Sequence, residues 1–198
     1  MIIDMHVHTS FSPCSVIEIP TLLQRARKLG LDGICITDHE TMASKTVFDN
    51  LSESEGICVI VGMEYATPKG DFLVFGSTEY IPDGMDAKEL IRWVKKEGGV
   101  AIPAHPFRKS RPTDPGILSC FDIVEVMNGR NRPSENESCK RWLDRYGNGT
   151  RRTAGSDAHT IEEIGRMATI FKRDIYSEED FIDALHSEDY IAQQMQPF

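Results

Sequence analysis

The chain has 198 residues, of which 40% are hydrophobic and 27% charged, and a formal net charge of −9. That length can bury the core of one domain, read here as a single unit over 1–198, and the acidic balance argues against nucleic-acid partners, which need a basic surface. No apolar run approaches the ~20 residues that cross a bilayer, so no membrane partner is expected.

The start MIIDMHVH lacks the charged and apolar regions of a signal peptide. The five cysteines form no C-x-x-C pair, which excludes a zinc ribbon and speaks against a disulfide framework. A reducing cytoplasm is the compartment expected. Cys35 and Cys58 stand in apolar runs and read as small buried hydrophobes.

In chain order, residues 1–8 read as a strand. Residues 18–29 read as a helix, with Leu22, Leu23, Ala26 and Leu29 on one face and Gly30 placed to end it. GICIT at 33–37 is a buried strand, and 41–52 reads as a helix. ICVIVG (57–62) and FLVFG (72–76) are strands. The helix at 86–97 has Asp86 at its start and Lys95 and Lys96 at its end, as the helix dipole favours.

GVAIPA (99–104) and FDIVEVM (121–127) are strands, 133–146 is a helix, and 151–156 is a strand. A last helix is expected near 177–187 with Ser177 as its cap. The alternation predicts an α/β fold with a parallel sheet or a (β/α) barrel.

The six histidines are the informative residues. His6, His8, His39, His105 and His159 fall at or just beyond the ends of predicted strands. In a (β/α) barrel those ends meet at one face, where active sites form. His6 and His8 are two apart on a strand and so share a face, which lets both reach one ion. Asp38, Glu64 and Asp157 also follow strands. Imidazoles with carboxylates are the mixed ligand set of hydrolytic zinc, manganese or iron sites. Any one of these residues alone could be a cap or turn residue; together, at successive strand ends, they have no such account. His186, near the end of the last helix, reads as a surface histidine.

The ordered strings DMHVH, ITDHE, GMEY, AHPF and GSDAH, spanning residues 4 to 159, resemble the polymerase-and-histidinol-phosphatase (PHP) family of metallohydrolases. The resemblance implies a distorted barrel of seven β/α units with three metals in its mouth. It matches the strands counted up to residue 156, with 167–171 as an outer addition. It also implies a first ion held by His6, His8, Glu64 and Asp157. Glu64 would bridge to a second ion held by His105 and by Asp71, where the family usually has a histidine (GDFLVFG here). A third ion would be held by Cys14, six residues after His8, with His39 and His159. Asp71 should favour harder ions such as Mn²⁺, and a Cys14 thiolate softer zinc or iron.

The expected activity is metal-dependent hydrolysis of a small phosphorylated substrate, a monoester or a nucleotide. The cofactors would be two or three divalent ions (Zn, Mn or Fe), with Glu64, His105 and His159 as catalytic residues. Arg108, Arg130 and Asn128 are expected to bind the substrate, since a guanidinium fork fits phosphate oxygens. Asp4 and Asp38 are candidates to orient ligands, and Glu125 should lie inside the barrel. Loops 65–71, 107–116 and 128–135 would set substrate choice. The competing readings are an exonuclease-type phosphodiesterase acting on nucleic-acid ends, a hydrolase of another ester or amide, and a non-catalytic metal-bound interaction module.

Overall fold

Strands and helices alternate as the sequence predicts, but the strands do not form one parallel sheet. The computed structural model describes residues 1–48, 56–76, 81–187 and 190–195. In order, its elements are β1 (Ile2–Val7), α1 (Ile19–Lys28), β2 (Gly33–Ile36), α2 (Lys45–Phe48), β3 (Cys58–Val61), β4 (Met63–Thr67), β5 (Gly70–Phe75) and α3 (Ala87–Lys96). They continue with β6 (Val100–Pro103), α4 (Pro115–Leu118), β7 (Ile123–Asn128), α5 (Pro133–Tyr146), β8 (Arg151–Gly155), β9 (Met167–Phe171), α6 (Glu178–His186) and β10 (Tyr190–Gln194).

Three ladders result: β10-β9-β1-β2-β3, β4-β5-β6 and β7-β8. The pairs β1–β2, β2–β3 and β7–β8 are parallel. The pairs around β5, and those of β9 with β1 and β10, are antiparallel. The fold is therefore mixed α/β, and among the described residues the ladders do not close into a barrel. Two single parallel bridges, Val7 with Ala158 and His39 with Glu64, join strand ends. Both lie beside the candidate ligands.

The helix boundaries follow local chemistry. Asp86 caps α3 by accepting from the backbone N–H of Lys88 and Glu89, and the Glu89 side chain returns to the Asp86 N–H. The Ser177 hydroxyl accepts from Asp180 N–H at the start of α6. Gly30, at φ 67°, ends α1 as expected. His186 is exposed in the last turn of α6.

The helix expected at 41–52 is only Lys45–Phe48 among the described residues; positions 49–52 lie outside them. The strands β4 and β10 and the short helix α4 were not anticipated. Cys58 is half-buried rather than buried, because β3 is the outer strand of its ladder, whereas Cys35 is fully enclosed. Among the described residues no helix is long and apolar enough to cross a membrane.

β1 is the pivot of the fold. Its Ile3 and Met5 pack into a cluster with Phe75, Phe171 and Phe181, and Val7 joins Leu22, Leu23 and Ala26 of α1. Asp4 and His6, with His8 just past the strand end, are buried too. Buried polar groups are costly unless they find partners, so this polar edge of β1 requires a polar interior. Gly155 lets β8 approach it: a Cβ at that position would collide with the backbone and Cβ of His6.

Candidate metal centre

Four side chains converge above β1. The Nε2 atoms of His6 and His8 are 3.1 Å apart. His6 Nε2 lies 3.4 Å from Glu64 Oε2 and 3.5 Å from Asp157 Oδ1, and His8 Nε2 lies 3.2 and 3.3 Å from the same two oxygens. Bonds of about 2.0–2.2 Å from a tetrahedral ion to N and O ligands put those ligands about 3.3–3.6 Å from one another. The five separations fall close to that range. Geometry and donor chemistry thus both suit a divalent ion.

The rings are aimed by their other nitrogens. His6 Nδ1 donates to Glu125 Oε1 at 3.0 Å, which leaves the lone pair on Nε2. Glu125 is itself fixed, because its Oε2 accepts from His105 N–H and from Asn128 Nδ2. His8 Nδ1 faces the Ser12 hydroxyl at 3.3 Å, and that hydroxyl donates to Asp38 Oδ1 at 2.7 Å. Asp38 also accepts from the Thr9 N–H and hydroxyl. Asp38 therefore positions a histidine as expected, but through Ser12. Among the described residues Asp4 is hydrogen-bonded to no imidazole. Its oxygens accept backbone N–H bonds from Ser156 and Gly165, and a longer one from His6, so it fixes the GSDAH turn beneath the ligands.

Two further donor groups adjoin the first. Glu64, Asp71 and His105 form one, with His105 Nε2 2.7 Å from Glu64 Oε1. His105 Nδ1 is buried and has no hydrogen-bond partner among the described residues. His8, His39 and His159 form the other, with His159 Nδ1 donating to the Asp157 carbonyl oxygen. Glu64 belongs to two groups and so does His8, so all three are contiguous. Glu64 turns Oε1 to His105 and Oε2 to His6, His8 and His39. His105 (φ 32°) and Asp157 (φ 54°) hold left-handed backbone conformations, a strain that surrounding structure must sustain and that gathers at functional sites.

Electrostatics favour a cation. Burial would raise the Glu64 carboxyl, but the His6 charge and hydrogen bonds from His105, His6 and His8 hold it well below its ordinary range. Asp157 is likewise held far down against its burial by His6 and His8. For His6, burial acts downward and is outweighed by Asp157, Glu125 and Glu64, which drive the ring well up. His8 is also raised, by Asp157 and Glu64 against burial. Burial lowers His39, and burial together with the His8 charge lowers His159 to about 4. The buried carboxylates thus draw positive charge toward His6 and His8, where a divalent ion would supply it.

A cavity of about 560 Å³ opens over these groups, walled by Arg108, Ser110, Arg111 and Arg130. Arg108 is largely committed: Nη2 donates to Asp157 Oδ2 at 2.6 Å and to Asn128 Oδ1, and Nε donates to Asn131 Oδ1. Asn128 is buried beneath it, while Arg130 is exposed at the rim. Cys14 is exposed and belongs to none of the three groups. Turn bonds Ser12 N to Thr9 O and Ser15 N to Ser12 O carry the chain past it, and His8 stands with His39 and His159 instead. The sequence reading passed over Arg111, which forks onto Asp71, and left Glu125 and Ser12 without a role. A polar 107–116 loop was the only signal for Arg111.

Residues 133–190 match the PHP_C family model, described as PHP-associated. The chain is 33% identical over 141 residues to the uncharacterized protein MJ1587 of Methanocaldococcus jannaschii, covering 65% of this chain and 82% of that one. It is 33% identical over 86 residues to a probable histidinol-phosphatase of Thermotoga maritima, 42% of this chain and 36% of that protein. This chain belongs to the PHP family.

The fold agrees with that membership. PsfC of Pseudomonas syringae superposes with a TM-score of 0.79 at 19% identity, over 98% of this chain and 91% of PsfC. A Bifidobacterium adolescentis protein assigned as a metal-dependent phosphoesterase superposes at 0.65 and 21% identity, over 80% and 87%. The strings DMHVH through GSDAH supply every member of the three donor groups except Asp71, which stands in GDFLVFG.

Proposed function

We propose that this PHP protein is a metal-dependent phosphoesterase that hydrolyses a small phosphorylated substrate, a monoester or a nucleotide. The observation that carries the reading is the set of three contiguous donor groups, linked through Glu64 and His8, on the floor of a cavity whose wall bears three arginines. In this reading the three sheets surround the site as a distorted, opened barrel of β/α units, and residues 1–198 act as one catalytic unit. His6, His8, Glu64 and Asp157 would hold one divalent ion, Glu64, Asp71 and His105 a second, and His39 and His159, the partners the resemblance gives Cys14, would be left to hold a third. Zn, Mn and Fe all suit such mixed nitrogen and oxygen sets.

Ions held there would lower the pKa of bound water toward ~7 and would offset charge on a transferring phosphoryl group. The protein's own groups do the rest. Glu64 fixes the spacing of the first two groups by dividing its oxygens between them. His105 and His159 face the cavity from opposite groups and frame the reacting phosphoryl. Arg130, exposed on the wall, offers its guanidinium fork to phosphate oxygens, while Arg108 and Asn128 keep Asp157 aimed. The acidic chain and a cavity fit for one small molecule favour such a substrate over a nucleic-acid end.

The test is a panel of phosphorylated metabolites and short oligonucleotides, assayed with protein of known metal content. Chelation should abolish hydrolysis, and Mn²⁺ or Zn²⁺ should restore it. Full activity in demetallated protein would rule the reading out, and preference for oligonucleotides would favour the exonuclease.

A further inference from the structure

Asp71 holds the position where the family resemblance leads one to expect an imidazole, and the structure shows what accompanies the change. The carboxylate is buried on β5. Arg111, from the loop between β6 and α4, lies directly on it. Its Nε is 2.8 Å from both Oδ1 and Oδ2, its Nη2 is 2.7 Å from Oδ1, and Nη2 also donates to the Thr67 carbonyl oxygen. A donor equidistant from both oxygens stands on the edge between them. That edge is where a cation chelated by both oxygens would sit.

The placement is built into the fold. Gly70, beside Asp71, has no Cβ; one there would lie 2.6 Å from Thr113 Oγ1 and 2.9 Å from Thr113 Cα. The 107–116 loop therefore packs onto β5 only because residue 70 is glycine. Asp114 N–H donates to the Lys69 carbonyl oxygen, and Lys69 Nζ pairs with Asp114 at 2.8 Å, which secures the same contact.

We propose that Arg111 makes Asp71 a neutral, one-point donor, and so sets which ion the Glu64–Asp71–His105 group accepts. The inference rests on the metal-centre reading above. The guanidinium cancels the carboxylate charge, so the pair presents the net charge of a neutral imidazole. With the shared edge occupied, each oxygen retains only outward lone pairs, and an ion can be met at one point. Oxygen-seeking ions that gain from two-point carboxylates lose that advantage. Zinc, content with four single contacts, loses little. The shift toward hard ions expected from an aspartate in place of histidine is thereby cancelled.

The experiment counts ions and needs no turnover. The whole chain is demetallated and then titrated with Zn²⁺ in competition with Mn²⁺, with bound ions measured by elemental analysis and folding checked by thermal unfolding. Arg111→Gln should move the preference toward Mn²⁺ at least tenfold. In an Asp71→His background, the same Arg111→Gln change should move it little. If Asp71→His does not fold, Asp71→Asn supplies the neutral background. An unchanged ratio in Arg111→Gln overturns the proposal and leaves Arg111 as a loop tether that affects only Tm; an equal shift in both backgrounds overturns it as well, because Arg111 would then act other than through Asp71. A wild-type chain that takes up no ion defeats the metal-centre reading itself.

Discussion

Glu125→Gln isolates the step by which the fold prepares His6 as a ligand. Glu125 Oε2 accepts two hydrogen bonds, from His105 N–H at 2.7 Å and Asn128 Nδ2 at 3.0 Å, while Oε1 accepts from His6 Nδ1. Glutamine has one oxygen to cover these three donors. Turning its NH₂ toward His105 and Asn128 would leave two buried donors unpaired, at about 1–3 kcal/mol each. The amide should therefore keep its oxygen there and direct its NH₂ at His6.

His6 Nδ1 must then accept, which moves the proton to Nε2 and removes the lone pair an ion needs. Loss of such an orienting partner costs roughly 10–100-fold in metal affinity, about 1.4–2.8 kcal/mol at 1.4 per tenfold. Competition with a chromophoric chelator measures the affinity, and thermal unfolding of the metal-free protein controls for folding. Glu125→Ala should be markedly less stable than Glu125→Gln, since it strands all three donors. Wild-type affinity in Glu125→Gln would refute the argument, because His6 would then not bind through Nε2.

Arg108→Ala should lower metal content as well as turnover, because Arg108 holds Asp157; weakened turnover at full metal occupancy would return it to a purely substrate-binding role. Arg130→Ala should raise KM by a factor matching about 1.5–3 kcal/mol, the scale of a charge-assisted hydrogen bond, with ion content unchanged. Ion uptake at pH 7 should release protons from His6 and His8, whose folded values are raised, and affinity should climb as pH rises; His39 and His159, already lowered, should release none. Calorimetry in buffers of different ionisation enthalpy reads this, and no proton release would sink it. The exposed Cys14 thiol should alkylate equally with and without metal; protection that vanishes on adding chelator would make it a ligand after all.

What the sequence determined by itself was set by short-range rules. The period of two puts His6 and His8 on one side of a strand, helix caps at Asp86 and Ser177 follow from local hydrogen bonding, and Gly30 ends α1 because it tolerates positive φ. The order of the histidine and carboxylate strings carried the family. Tertiary structure decided whatever depends on partners remote in the chain. Glu125 meets His6 across 119 residues and Arg111 meets Asp71 across 40, and no local pattern encodes such a meeting.

β4 escaped notice because its polar and aromatic residues read as loop until β5 supplies a ladder. β10, with Ile191, Gln193 and Gln194 exposed and Ala192 half-buried, owes its form to pairing with β9. Cys14 shows the same limit from the other side. Its offset from His8 makes it a candidate ligand, while the turn through Ser12 and Ser15 sets its side chain at the surface, outside the three donor groups, so the alkylation measurement and not spacing along the chain decides its role.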